Sequence, residues 1–266
     1  GMFIYKNRIF DALLKDALES KGAVVVRGPK WCGKTTTAEQ VAKSVIYMND
    51  PESAEQNLLT AQTRPSRLLS GATPRLIDEW QDVPAIWDAV RYSVDESADC
   101  GRYILTGSAT PKTKGVLHSG TGRIARLSMH PMSLQESGES ACVVSLKDVC
   151  CGKDIGVHSV PEPSLESLVE YVMRGGWPGG KGKSLAQALL IPRDYIRNVA
   201  EMDVQKLDDI DRDPVKVMKC LRSLARNEST TASTKTIRED IAEMDDTSLS
   251  INTVTEYIAA LAAFRV

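Results

Sequence analysis

Long apolar runs are missing from this chain of 266 residues. None approaches the roughly 20 residues that cross a bilayer, and the N-terminal stretch lacks the apolar core of a secretory leader. No membrane partner is expected. Histidine is scarce: His118, His130 and His158 are the only three, and none stands at zinc-ligand spacing from a cysteine or another histidine. The six cysteines (Cys32, Cys100, Cys142, Cys150, Cys151, Cys220) form no CxxC pair, and a chain of this length has no need of a disulfide scaffold. These absences argue against a structural metal site and for reduced thiols in a cytoplasmic setting. Excess charge is missing as well. A formal net charge of −2 offers no bulk case for a nucleic-acid coat or a membrane-surface binder. There is no internal repeat, no low-complexity tract and no guanine-reading Asn-Lys-x-Asp stretch.

What is present is an ordinary globular composition, 42% hydrophobic and 26% charged, long enough for two domains and a small third. Short apolar, β-branched runs at 23–27, 45–48, 75–77 and 102–106 read as strands. Between them, residues 34–44 suit a helix, and Val83, Ile86, Trp87, Val90 and Val94 recur at helical period. This alternation predicts an α/β sheet, mostly parallel, with ligands at the carboxyl ends of its strands. A Gly/Ser/Thr-rich stretch from Thr113 to Gly122 predicts a mobile loop, and Ile124 to Met129 a last strand. Helices are then expected over Leu165–Met173 and Leu185–Lys206, around the turn Gly175-Gly176-Trp177-Pro178-Gly179-Gly180. Three more, near Pro214–Arg226, Thr234–Met244 and Asn252–Phe264, suggest a helix-turn-helix or winged-helix unit.

Gly28-Pro29-Lys30-Trp31-Cys32-Gly33-Lys34-Thr35 matches G-x-x-x-x-G-K-[ST] at every defined position, after a strand and before a helix. Backbone N–H groups of such a loop, continued into Thr36, curl into an anion nest, and the helix N-terminus adds partial positive charge. Gly28 and Gly33 allow backbone angles and close approaches that a side chain would block. Lys34 reaches the β and γ phosphates, and the Thr35 hydroxyl is a ligand for Mg²⁺. Trp31 either shields a bound nucleotide or packs on the lid, and Cys32 reads as inert packing in preference to a redox-sensitive thiol.

Leu76-Ile77-Asp78-Glu79 places two carboxylates at the end of an apolar strand. Alone it would read as an exposed acidic turn. Beside the phosphate loop, Asp78 becomes the metal-side carboxylate and Glu79 the general base that activates water. The strand ending Thr106-Gly107-Ser108 offers a polar sensor of the γ-phosphate, with Thr106 and Ser108 both eligible. Arg123 and Arg126 follow the expected loop. Surface solvation is the commoner fate of such arginines; as a catalytic group, Arg123 is the favoured candidate to stabilise transition-state charge from a neighbouring subunit.

Taken together, Arg8, the stretch Arg27 to Thr35, Ile77-Asp78-Glu79-Trp80-Gln81, Leu105-Thr106-Gly107-Ser108 and Arg174-Gly175-Gly176-Trp177-Pro178 resemble the bacterial and archaeal AAA-type ATPases that carry a C-terminal domain of unknown function. The resemblance spans nearly the whole chain. It implies an AAA-like P-loop core over residues 1–134, a helical lid over 135–212 and a winged-helix-like segment over 213–266. It also implies ATP and Mg²⁺ as cofactors, Gly176 and Pro178 as adenine-side residues, and Gln81 as an active-site polar group. Relatives have Pro-Arg-Gln-Val where Pro29-Lys30-Trp31-Cys32 stand here, which alters the outer surface of the loop. They also continue past the helical unit, so by this likeness the chain is either truncated before a β-wing and an effector part or naturally lacks that part.

The function expected is Mg²⁺-dependent ATP hydrolysis coupled to movement of the lid and a partner, either a second copy or another protein. Three readings compete with it: a nucleotide switch with little hydrolysis, a nucleotide-gated DNA-binding module, and a small-molecule kinase. Residues 252–261 carry no Lys or Arg, and Glu243, Asp245, Asp246 and Glu256 add negative charge. Phosphate contacts dominate affinity for DNA, so a lid or protein-contact role is favoured over DNA binding.

Overall fold

The computed structural model describes residues 5–108, 122–160, 162–207 and 210–264. Five strands form one parallel sheet in the order β2-β3-β4-β1-β5: β1 (Ala23–Arg27), β2 (Ser44–Tyr47), β3 (Arg75–Asp78), β4 (Tyr103–Gly107) and β5 (Ile124–Ser128). The central strands are buried on both faces, which is why β1 and β4 read as continuous apolar runs without alternation. Alternate residues still choose opposite sides. Ala23, Val25, Ile77 and Leu105 pack beneath α3 (Ala54–Thr63) and α4 (Ala85–Glu96), with Trp80, Ile86, Trp87 and Val90 in the same cluster. Val24, Val26, Leu76 and Ile104 pack with Phe10, Leu14 and Leu18 of α1 (Ile9–Ser20) and with Ala38 of α2 (Lys34–Glu39).

Helix α2 ends five residues short of the expected Ser44. Thr35, Thr36 and Thr37 are three consecutive β-branched residues of poor helix propensity, and the chain turns early to enter β2.

Beyond β5 the described residues are helical and contain no strand: α5 (Leu134–Ser137), α6 (Leu146–Cys150), α7 (Leu165–Arg174), α8 (Leu185–Ala188), α9 (Leu190–Asn198), α10 (Val204–Lys206), α11 (Pro214–Arg226), α12 (Thr234–Met244) and α13 (Ile251–Ala263). The single helix expected over Leu185–Lys206 is instead α8, α9, a π-helical turn over Val199–Asp203, and α10. The last three helices fall where sequence placed them. They share a core with the preceding segment: Tyr195, Val199, Ala200 and Val204 pack with Val217, Cys220, Ile241, Val254, Tyr257 and Leu261. Packing therefore shows no break at residue 212, and the trihelical end is a helical bundle without a wing among the described residues. The loop expected over Thr113–Gly122 lies outside the described residues except for Gly122.

Candidate active site

The site follows from strand order. Because β4 lies between β1 and β3, the residues at the carboxyl ends of all three come side by side: Val26 is in register with Thr106, and Thr106 with Asp78. Residues 28–33 leave β1 and enter α2, whose first residue is Lys34.

Two glycines shape this loop. Gly33 sits at φ 103°, in the region that disfavours side chains, and a Cβ on Gly28 would stand 2.2 Å from the Met129 carbonyl oxygen. Trp31 takes a left-handed φ of 63° without being glycine, a strained conformation stabilised by its ring packing edge-on to Tyr195 at 6.0 Å. Tyr195 in turn packs on Trp177 at 5.1 Å. Lys34 is buried, and its Nζ donates to the carbonyls of Gly28 (3.0 Å) and Pro29 (2.9 Å), closing the loop across its mouth. Burial lowers the Lys34 ammonium pKa below its ordinary value, and Cys32, Glu79 and Asp78 oppose that shift.

Asp78 is buried at the end of β3. Its Oδ1 accepts from Thr35 Oγ1 at 2.7 Å and from Thr106 Oγ1 at 2.5 Å. Next to it Glu79 turns at φ 56°, and its carboxylate accepts from Gln81 Nε2. Burial pushes the Glu79 carboxyl up; Gln81 and Lys34 pull it back. Gln81 is itself confined, since a Cβ on Gly107 would lie 2.1 Å from its Oε1. A hydroxyl and a carboxylate converging on one point are a donor set that suits Mg²⁺, which takes one or two protein oxygens and completes its shell with water and phosphate.

Arg8 supports the loop from behind. It is buried, and its guanidinium donates to the Cys32 carbonyl (2.8 Å), the His130 carbonyl (2.8 Å) and Glu136 Oε1 (2.9 Å). Glu136, in the capping box that starts α5, also accepts from the backbone of Ile9 and Ser133. Burial alone would raise the Glu136 carboxyl, but these donors hold it below the ordinary range. Cys32 is fully buried and its thiol is pushed up by burial, as expected of inert packing.

The turn that follows α7 meets the loop. Trp177 Nε1 donates to the Lys30 carbonyl at 3.1 Å, and a Cβ built on Gly33 would lie 3.8 Å from Pro178 Cγ. Gly176 accepts from Met132 N at 2.6 Å, and a Cβ there would strike the Met132 carbonyl at 2.1 Å. Of the residues singled out in sequence, Gly28 to Thr36, Asp78, Glu79, Gln81, Thr106, Gly176 and Pro178 gather here. Ser108 is buried just beyond the end of β4. Arg123 does not join them. It precedes β5, at the amino edge of the sheet, and donates to the carbonyls of Val94, Asp95 and Ser97 at the end of α4. Arg126 stacks over Trp87, its Cζ 5.4 Å from the ring. Sequence reasoning did not single out Asp203, which pairs with Lys30 at 2.5 Å, nor Tyr195 and Glu136. Each is an ordinary helical residue in sequence, and nothing local distinguishes it.

Residues 20–138 match an AAA domain, and residues 165–266 match a domain of unknown function (DUF8612). Uncharacterised proteins of Mycobacterium bovis and Mycobacterium tuberculosis are each 32% identical over 141 residues, which covers 52% of this chain and 32% of theirs. The chain thus spans about a third of the length of the curated relatives it matches. Among solved structures, a Walker-type ATPase of Pyrococcus abyssi superposes with a TM-score of 0.54 at 15% identity, covering 98% of this chain and 90% of that one. The likeness is one of fold, a P-loop core with a helical C-terminal region.

Proposed function

We propose that this chain, similar to the AAA-type P-loop ATPases with a C-terminal domain of unknown function, binds ATP with Mg²⁺ and hydrolyses it. The observation that carries the reading is the convergence of Thr35 and Thr106 on one oxygen of buried Asp78, beside the half-buried Glu79. Thr35 and Asp78 would hold Mg²⁺, Asp78 through water. When bound, the ion neutralises charge on the terminal phosphates. The loop amides and Lys34 bind and orient the phosphates, Thr106 and Gln81 set the two carboxylates, and Glu79 takes the proton of the attacking water. Gly176 and Pro178 line the adenine side of the site. The core over 1–134 would do the chemistry, and the helices from 135 onward would carry nucleotide state to a partner.

Single-turnover hydrolysis tests this directly. Wild type releases phosphate above background, and Glu79→Gln binds ATP but releases it about 100-fold more slowly. If neither releases phosphate while both bind nucleotide, the chain is a switch. A protein partner is favoured over DNA. Arg226 pairs with Asp240 and Asp245, and Arg222 with Asp245, so the basic face of α11 is largely neutralised. Helix α7 meanwhile exposes Leu165, Leu168, Val169, Val172 and Met173.

A further inference from the structure

We propose that Lys30 is a second phosphate-binding cation, specific for the terminal phosphate of a nucleoside triphosphate, and that Asp203 holds it in reserve until that phosphate arrives. The inference rests on the nucleotide-binding reading above.

Lys30 is the third residue of the phosphate loop, and its backbone is held in place: its carbonyl accepts from Trp177, and its neighbour Trp31 is locked against Tyr195. Its side chain is the movable part, one-third exposed. Lys34 differs, being buried and committed to two loop carbonyls. The Lys30 ammonium instead meets Asp203 Oδ1 at 2.5 Å. Asp203 projects from the π-helical turn between α9 and α10, an element frequent at functional sites. Its side chain is 5% exposed, and its second oxygen, Oδ2, is buried with no hydrogen-bond partner among the described residues. A permanent structural ion pair in such a place would be expected to satisfy both oxygens, because burying a carboxylate with an idle acceptor is costly. A half-satisfied pair on the rim of an anion nest is open to competition. A triphosphate presents one more phosphate to the loop than a diphosphate, and that extra charge competes with Asp203 for the same ammonium. The outcome is discrimination between the two nucleotides, together with release of the π-turn when the triphosphate wins.

Isothermal titration of the full chain with ADP and with a non-hydrolysable ATP analogue, both with Mg²⁺, tests this. Asp203→Asn frees Lys30 and tightens the analogue by about tenfold, leaving ADP within about twofold. Lys30→Met weakens the analogue by about tenfold with little effect on ADP, Lys30→Arg retains the wild-type ratio, and Asp203→Asn adds nothing in the Lys30→Met background. Variants that leave the ratio of the two affinities at the wild-type value, or shift both equally, overturn the inference while nucleotide binding stands. Wild type that binds neither nucleotide overturns both. If Asp203→Asn gives no cooperative melt, the contrast between Lys30→Met and Lys30→Arg decides.

Discussion

Thr106 Oγ1 donates to Asp78 Oδ1 at 2.5 Å, the same oxygen that Thr35 Oγ1 reaches at 2.7 Å from the phosphate loop. Adjacent strands in register bring Thr106 and Asp78 together, and the loop that leaves β1 delivers Thr35 in the first turn of α2. Thr106→Val keeps the buried volume and removes the donor. Nucleotide affinity should stay within about threefold while single-turnover hydrolysis falls about 10- to 100-fold, and Thr106→Ser should retain most of the rate. An equal loss in affinity and rate would mean that Thr106 only shapes the loop.

Burial holds the Glu79 carboxyl above the ordinary value of about 4.3, with Gln81 opposing the shift. A general base works ionised, so hydrolysis should fall as pH drops through the raised value, and the acid limb should lie above the normal glutamate range. Gln81→Ala removes an opposing donor and should move that limb higher. The stability sign is the reverse. A folded-state pKa above the unfolded one means that the contribution to stability is complete below the unfolded value and is lost as pH rises through the folded one. Glu79→Gln should therefore melt higher than wild type at neutral pH, with the gap closing in acid.

Arg8→Ala should destabilise the fold by about 3–5 kcal/mol, because it leaves buried Glu136 without its cation and the Cys32 and His130 carbonyls without a donor. Arg8→Lys cannot reproduce three divergent contacts and should fall between. Urea denaturation measures both; a loss under about 1 kcal/mol would show the clamp to be a surface-grade ion pair.

Thiol labelling of the native protein should distinguish two classes. Cys100, Cys142, Cys150 and Cys151 are exposed, whereas Cys32 and Cys220 are buried, with the Cys220 thiol pushed up to about 11. The exposed four should react with a thiol reagent in native buffer and the buried two only on unfolding. Mass mapping of labelled peptides checks this, and Cys32 reacting as fast as Cys100 would contradict the packing described.

The phosphate loop, the acidic strand end and the three terminal helices were legible in sequence because each is written in consecutive residues. Gly28 to Thr35 needs only its own backbone and the strand before it. Asp78-Glu79 needs only an apolar run that stops. The helix expected over Leu185–Lys206 failed for the opposite reason: its periodicity is continuous, and only packing against the bundle places a π-turn in it. Where Arg123 sits was not legible either, because nothing local shows that it precedes β5 at the amino edge of the sheet and donates to the carbonyls ending α4.

The sequence by itself therefore determined that this protein has a phosphate-binding loop and an α/β core, since both depend on short-range pattern and local chemistry. The tertiary structure alone decided what surrounds that loop. The strand order β2-β3-β4-β1-β5 sets Thr106 between Asp78 and the loop. Arg8 meets Glu136 across 128 residues and Lys30 meets Asp203 across 173. Contacts at such separations are made by the docking of whole elements, and no window of neighbouring residues records them.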